Sequence, residues 1–545
     1  MSLLVAINAK YIHTNLAVRY LRQTTGCEIR EYSINDRTET VMADIYLSGK
    51  KTVLFSCYLW NIRMVLELCS RLKKADSSIQ TVLGGPEVSF SAEEILSEHP
   101  YVDFVIRGEG EESVPAFLAA KESGDFRTVL GLSYREMGKI ITNPPAPVPE
   151  LDSIPFPYDD GELEDLSGRL IYYETSRGCP FRCGFCLSSA TTGVRFLPLE
   201  RVKKELHTFI LAGVPLVKLV DRTFNADNRR AVEIVNFIKE HSEKTCFHFE
   251  VKAETMSEEL VDALMGARKG LFQLEIGVQS TNPETLSKIK RGADFGKITD
   301  VVNRLKKNGN IHLHLDLIAG LPGESYAQFA RSFDDVFSLR PHDLQLGFLK
   351  KLKGATLDTE GSRFTDEPPY EVIRSDAMSY AEILLLKDIE DVLEKYYNSG
   401  TFSRSLSYLI TEDDASSAFC FFEKLARFFR GKGYSGQALS RKSLYEILCE
   451  FGEREVKAEQ IQEYLAFDYL THYKDHLSFM HADDLKQRAF EFLKTEGIAE
   501  KYFPQRKDEK PTELYKHLRF YRFGEKVFAF DAENAINCDI TADFS

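Results

Sequence analysis

The sequence predicts an α/β protein in three parts: a doubly wound, Rossmann-like domain, a partial (β/α)6 barrel and a mainly α-helical C-terminal domain. Three observations predict it. Short continuous apolar runs alternate with amphipathic segments over residues 1–140, as in a parallel sheet covered on both faces. The alternation resumes near Arg169 for six further strand–helix units, two short of the eight-unit barrel. Beyond about residue 360 helical periodicity prevails.

In the first domain, 3–8, 52–57, 81–85 and 104–108 read as strands, and 62–73 and 92–97 as amphipathic helices. Residues 141–165 form a stiff proline-rich linker, with Pro144, Pro145, Pro147, Pro149, Pro155 and Pro157. The barrel occupies 166–360, with strands at 170–174, 216–220, 247–251, 272–276, 312–318 and 344–349. The last domain, 361–545, carries helical patterns at 377–396, 418–432, 441–450, 458–475 and 482–496 and a short strand at 527–530.

A length of 545 residues suits about three or four domains. A hydrophobic content of 43% and a charged content of 28% are those of a soluble globular protein. No apolar run approaches the roughly 20 residues of a membrane span, so no membrane partner is expected. A net charge of -14 argues against broad phosphate-backbone binding. The 10 cysteines show no disulfide spacing and no signal peptide precedes them, which predicts a reducing, cytoplasmic location.

Three of those cysteines are clustered: Cys179, Cys183 and Cys186, spaced C-x3-C-x2-C with Phe185 before the last. Soft thiolates in such a cluster suit iron–sulfur chemistry, and three ligands leave one iron of a four-iron cluster open. Structural zinc normally closes its sphere with four protein ligands; the next histidine here is the distant His207. Cys27, Cys57, Cys69, Cys246, Cys420, Cys449 and Cys538 are scattered and expected in the core.

The motif resembles that of the radical S-adenosylmethionine (radical SAM) superfamily. The resemblance implies a [4Fe–4S] cluster on Cys179, Cys183 and Cys186, whose open iron binds SAM and whose electron cleaves it to a deoxyadenosyl radical. It also implies the (β/α)6 core and an electron donor such as flavodoxin or ferredoxin. Further matches sit on loops after barrel strands. Asp221, in Asp221-Arg222-Thr223-Phe224, is placed to bond the SAM ammonium, or else to cap a helix. Gln279 and Ser280 fall where the family has G-V-E-S; Gln279 replaces the ribose-binding acid and its amide can still bond a diol. Ser280 is alternatively a helix cap. Gly320, in Ile318-Ala319-Gly320-Leu321-Pro322-Gly323-Glu324, matches the loop that packs on adenine, beside Phe185. Glu324 alternatively caps the next helix. His312 and His314 share one strand face and read mainly as satisfied core residues.

Ligands of open α/β sheets lie at the C-terminal ends of the strands. Here those ends hold Asn8 and Tyr11; Ser56, Tyr58, Leu59 and Trp60; Gly84, Gly85, Pro86 and Glu87; and Gly108 and Glu109. No G-x-G-x-x-G opens a helix after the first strand, which weighs against a dinucleotide. A Rossmann-like domain ahead of a radical SAM barrel resembles the cobalamin-binding class of that superfamily. The resemblance implies cobalamin held by these residues without a D-x-H-x-x-G histidine, its lower face near Tyr58-Leu59-Trp60; Trp60 reads equally as core.

The two cofactors imply methylation of an unactivated carbon, with non-methylating cyclisation, rearrangement or reduction as the alternative. A different class of function, RNA binding, rests on residues 501–526, where eight basic and four acidic residues interleave with Tyr515, Phe520, Tyr521 and Phe523. A docking surface explains that window equally. The substrate is unknown from sequence; Lys350 and Lys353, at the barrel mouth, are candidates to pair with an anionic one.

Overall fold

The computed structural model describes residues 2–159, 161–190, 193–414, 417–480 and 485–544. Packing divides the chain into two compact units, Met1–Ser332 with Leu346–Tyr380, and Phe333–Gln345 with Ala381–Ser545.

The first unit opens with a seven-stranded sheet: β1 (Ser2–Asn8), β2 (Glu28–Ser33), β3 (Thr52–Ser56), β4 (Gln80–Gly84), β5 (Phe104–Ile106), β6 (Leu132–Glu136) and β7 (Lys139–Thr142). Its order is β2-β1-β3-β4-β5-β6-β7. The first five strands are parallel and the last two antiparallel. Alternate residues feed opposite cores: Leu3, Val5, Ile7, Val53 and Phe55 on one face, Leu4, Ala6, Leu54 and Val82 on the other. That two-sided burial is why these strands read as continuous apolar runs.

β2 escapes such a reading because it is an edge strand, only partly buried, with the mixed sequence Glu-Ile-Arg-Glu-Tyr-Ser. β6 and β7 form a hairpin turned by Met137 and Gly138, both at positive φ. The hairpin carries the domain past residue 140 into the expected linker. The linker is tied down as well: Glu162 accepts from Arg19 Nε at 3.1 Å and Arg22 Nη2 at 2.5 Å.

The six barrel strands are Ile171–Tyr173, Leu216–Leu219, Cys246–Val251, Phe272–Gln279, His312–Ala319 and Asp343–Phe348. They lie side by side in chain order, as a partial barrel requires. In the fourth strand Phe272, Leu274, Ile276 and Val278 are buried while Gln273, Glu275, Gly277 and Gln279 alternate with them on the other face. That face is polar, so the barrel's concave side is built for a polar ligand.

In the second unit the helices are Tyr380–Leu393, Ser403–Glu412, Ala418–Lys432, Arg441–Phe451, Ile461–His472 and Lys486–Leu493, with shorter ones after them. Ser417 caps the third by accepting from Cys420 N, and Gly433 closes it in the left-handed region. Ala482–Asp484, the start of the last expected helix, lie outside the described residues. The single expected strand is the middle of a three-stranded antiparallel sheet, Leu518–Phe523, Lys526–Asp531 and Ile536–Asp539.

Several of the basic and aromatic residues of 501–526 have partners within this unit. Arg506 forks onto Asp531 at 2.6 and 2.9 Å, Lys526 pairs with Asp539 and Lys501 with Asp543. Tyr515 and Phe520 pack on one apolar cluster, Tyr521 and Phe523 on another. Arg506 and the packed rings contribute to this unit's interior, whereas Lys507, Lys510 and Lys516 are exposed.

Candidate active site

The cysteine loop leaves the C-terminal end of the first barrel strand. Ser176–Gly178 pairs with Val194–Phe196, and Cys186 N donates to Cys183 O at 3.1 Å. All three cysteines are free thiols; Cys183 is buried and the other two half-buried. Two cations border the loop. Arg291 Nη1 lies 3.8 Å from Cys183 Sγ while its other nitrogen donates to Gly277 O, and Lys252 Nζ sits 4.0 Å over the Phe181 ring. Free thiols beside positive charge fit an anionic iron–sulfur ligand set. Sequence reading missed Arg291 and Lys252, because nothing in their local sequence marks them.

Arg177, next to the motif, anchors the loop to the N-terminal domain. It donates to Glu174 at 2.8 Å, Glu109 at 2.7 Å and Glu111 at 2.5 Å. Arg195 also pairs with Glu109. Glu109, expected at cobalamin, is therefore spent on this bridge, while Gly108 at φ 80 turns the chain ahead of it.

Asp221 is held by partners within the barrel. Its carboxylate is 1% exposed and accepts from Thr175 N at 2.9 Å, Thr175 Oγ1 at 2.7 Å and Ser176 Oγ. It pins the strand end that launches the cysteine loop; Asp227, not Asp221, caps the following helix. Ser280 is likewise buried and bonds Glu324 at 2.5 Å, with Ser332 completing the cluster. Asn282 caps the helix that Ser280 was expected to cap. Burial, partly offset by the two serines, raises the Glu324 carboxyl to about 7.

Gln279 ends the fourth strand. It sits at φ 72 at a bulge in the fourth strand, and its side chain folds over Gly277, where a Cβ would clash with it. Its Oε1 is buried without a hydrogen-bond partner, as are Asp316 Oδ1 and Glu324 Oε2. These unpartnered oxygens, on Gln279 at the end of the fourth strand, on Asp316 within the fifth and on Glu324 in the loop after it, leave polar capacity for a ligand with hydroxyl and amino groups such as SAM. Gly320 is buried at φ 81 at the end of the fifth strand.

Charges fill the polar face below. Lys218 Nζ lies 2.9 Å from Glu275 and 3.7 Å from Glu250, and His248 Nε2 3.0 Å from Glu275. Burial pushes the Glu275 carboxyl up, but His248 and Lys218 outweigh it and hold it low. Burial and the nearby Glu275 and Glu250 push Asp316 the opposite way, far above the carboxylate range. His312 and His314 belong to this face, their rings 4.6 Å apart and His314 5.5 Å from His248.

The N-terminal sheet reverses its strand order between β1 and β3, the crevice position for ligands in open α/β sheets. Ser56 and Gly84 are paired there. Tyr58 and Trp60 stack at 4.4 Å and 6°, and Trp60 Nε1 donates to Ile7 O at 3.1 Å. Trp60 is 45% exposed and so is not core; Leu59 lies half-buried between the two rings in sequence. Tyr11 and Phe90 are exposed on the same sheet end. Gly85, at φ 107, passes so near Cys57 that a Cβ would lie 2.6 Å from its carbonyl oxygen. Exposed rings around closely approaching backbone fit a large flat ring such as a corrin. Pro86 opens the short helix Pro86–Ser89. Glu87 is buried and accepts from Tyr370 at 2.8 Å; Asn8 bonds His13 O at 2.9 Å and Glu31 at 3.1 Å. Both have partners within the protein at the rim of the crevice.

Comparison with known proteins agrees with this geometry. Residues 2–118 match the B12 binding domain, residues 173–336 the Radical SAM superfamily and residues 360–540 a domain described as protein of unknown function (DUF4080). In this chain, residues 173–336 are thus similar to the Radical SAM superfamily, and the region before them to B12 binding domains. Its domains take a [4Fe–4S] cluster, SAM and cobalamin, and radical SAM chemistry needs an electron donor.

It is 30% identical over 323 residues to "Uncharacterized methyltransferase PH0819" of Pyrococcus horikoshii, covering 58% of this chain and 66% of that one. It is 27% identical to "Cobalamin-dependent radical SAM methyltransferase TokK" of Streptomyces tokunonensis, covering 69% and 61%. The chain thus spans just under two thirds of the length of these curated relatives. The solved structure of TsrM from Kitasatospora setae with cobalamin and [4Fe-4S] cluster bound shares the fold at TM-score 0.56 and 18% identity, over 70% of this chain and 80% of that one. No helix among the described residues is long and apolar enough to cross a membrane.

Proposed function

We propose that this protein is a cobalamin-dependent radical SAM C-methyltransferase acting on an unactivated carbon. One observation carries the reading: Arg177 ties the three-cysteine loop to Glu109 and Glu111, so both cofactor domains belong to one compact unit. The methyltransferases among its relatives support methyl transfer over cyclisation or reduction. When bound, the cluster and SAM supply hydrogen abstraction and cobalamin supplies the methyl group.

Cys179, Cys183 and Cys186 hold the cluster. Gln279 offers its orphaned carbonyl oxygen to the ribose of SAM, and Gly320 and Phe185 leave room for adenine. Asp221 and Ser280 are positioning residues. Ser56, Tyr58, Leu59, Trp60, Tyr11, Gly84, Gly85, Pro86 and Gly108 surround the corrin, and the rings around it exclude water from a radical site. Flavodoxin or ferredoxin supplies the electron in the cytoplasm, where ten free cysteines persist.

The test is anaerobic reconstitution with methyl-labelled SAM and substrate. Labelled product with deoxyadenosine is expected; unlabelled product with deoxyadenosine overturns methyl transfer.

A further inference from the structure

A cavity of about 650 Å³ opens beside the cysteine loop, within the range of small-molecule sites. Phe185, adjacent to Cys186, forms part of its wall. The facing wall is the segment after the sixth barrel strand, and loop and wall touch: Thr356 N donates to Gly184 O at 3.0 Å, and a Cβ on Gly184 would lie 3.3 Å from Leu357.

Lys350, Lys351, Lys353 and Arg363 all line this cavity. Most of the chain's buried and half-buried cations are spent on carboxylates, as Arg19, Arg177, Lys218 and Arg506 are. These four are not. Lys353 Nζ donates to the hydroxyl of Ser91 at 3.1 Å, lies 5.7 Å from the centre of the Tyr370 ring and is close enough to Glu87 to favour its charged form; Arg363 Nη1 donates to the carbonyl of Ser362 at 2.8 Å; and no salt bridge is made by any of the four among the described residues. The acids on the rim, Glu94 and Asp366, are exposed. Lys350 and Lys353 are half-buried, where an unpaired ammonium is costly. Four cations in one concavity of a chain with net charge -14 concentrate positive potential at that point.

We infer that this cavity takes the anionic end of the substrate, a carboxylate or phosphate group, with the rest of the molecule reaching past Phe185 toward the cysteine loop. The inference rests on the proposed methyltransferase reading and adds a substrate class to it. The concave shape selects a small anion over the flat face of an acidic protein.

The test uses the full chain, reconstituted anaerobically and titrated by calorimetry with inorganic pyrophosphate and, separately, malonate at fixed ionic strength. At least one probe is expected to bind saturably. Its Kd should rise tenfold or more in the K350Q/K353Q double variant and in R363Q, and stay unchanged in K203Q, a lysine on the surface helix Leu199–Leu211. The stronger probe distinguishes phosphate from carboxylate. Binding by neither probe, or equal binding in all variants, overturns the inference. So does loss of bound cobalamin in K350Q/K353Q, which would assign the cavity to that cofactor, and so does slower reduction by flavodoxin with no probe binding. Deoxyadenosine release from the wild type is measured separately; its absence would defeat the methyltransferase reading alone.

Discussion

Gly85 shows how much can rest on a missing side chain. At φ 107 and in contact with Cys57, it accepts no Cβ without moving β3 or β4. Gly85→Ala should cost about 2 kcal/mol or more in urea unfolding and weaken cobalamin binding. Cys183→Ala makes the opposite test: the variant should remain folded, yet iron and sulfide should fall to background and deoxyadenosine release should stop. Glu324 gives a pH signature. Its carboxyl titrates near 7 when folded against an ordinary value of 4.5, so the folded state binds its proton more tightly. Its contribution is fully favourable below 4.5, is lost as pH rises to 7 and is level above. The loss is about 3 kcal/mol at most. Thermal melts from pH 4.5 to 8 should show this fall in the wild type and its absence in Glu324→Gln.

The cysteine loop is an element held by its neighbours rather than by its own hydrogen bonds. Asp221 anchors its entry, Arg177 its outer edge and Arg291 its buried middle. Arg177→Met leaves Glu174, Glu109 and Glu111 without their shared cation. Since removing one partner strands buried charge, the expected loss is about 3–5 kcal/mol by chemical denaturation, with reduced cluster occupancy. Arg177→Lys should recover only part, because one ammonium cannot reproduce three directed bonds. The barrel strands behave differently. Their alternation of apolar and polar residues can be read directly, and it already assigns Lys218, Glu275, His314 and Asp316 to one face.

Both cofactor regions lie in the first of two compact units, and that predicts a linkage effect on the whole chain. Cobalamin at a hundredfold excess over its Kd should stabilise that unit by about 2.7 kcal/mol. Calorimetry should show its transition move upward with cobalamin while the transition of the C-terminal unit stays in place. A single transition that does not move would contradict cobalamin binding to the folded chain. Phe333–Gln345 packs with the C-terminal helices. A helix that covers a barrel strand and one that joins a separate unit share the same 3.6-residue periodicity.

Local pattern was enough for the strand–helix alternation, the three cysteines and the glycine-rich strand ends, because each is encoded within a few consecutive residues. It left β2 unread, since an edge strand needs no continuous apolar run, and it left the helix Ser403–Glu412 unassigned. It could not separate ligand contacts from supports. Asp221, Ser280, Glu87, Asn8 and Glu109 occupy the expected loops, yet hydrogen bonds to residues far along the chain claim their polar atoms. Arg291 near Cys183, and the placing of Arg363 with Lys350, Lys351 and Lys353 beside Phe185, arise only on folding. Electrostatic pairing depends on distance in space, and only the tertiary structure sets that distance.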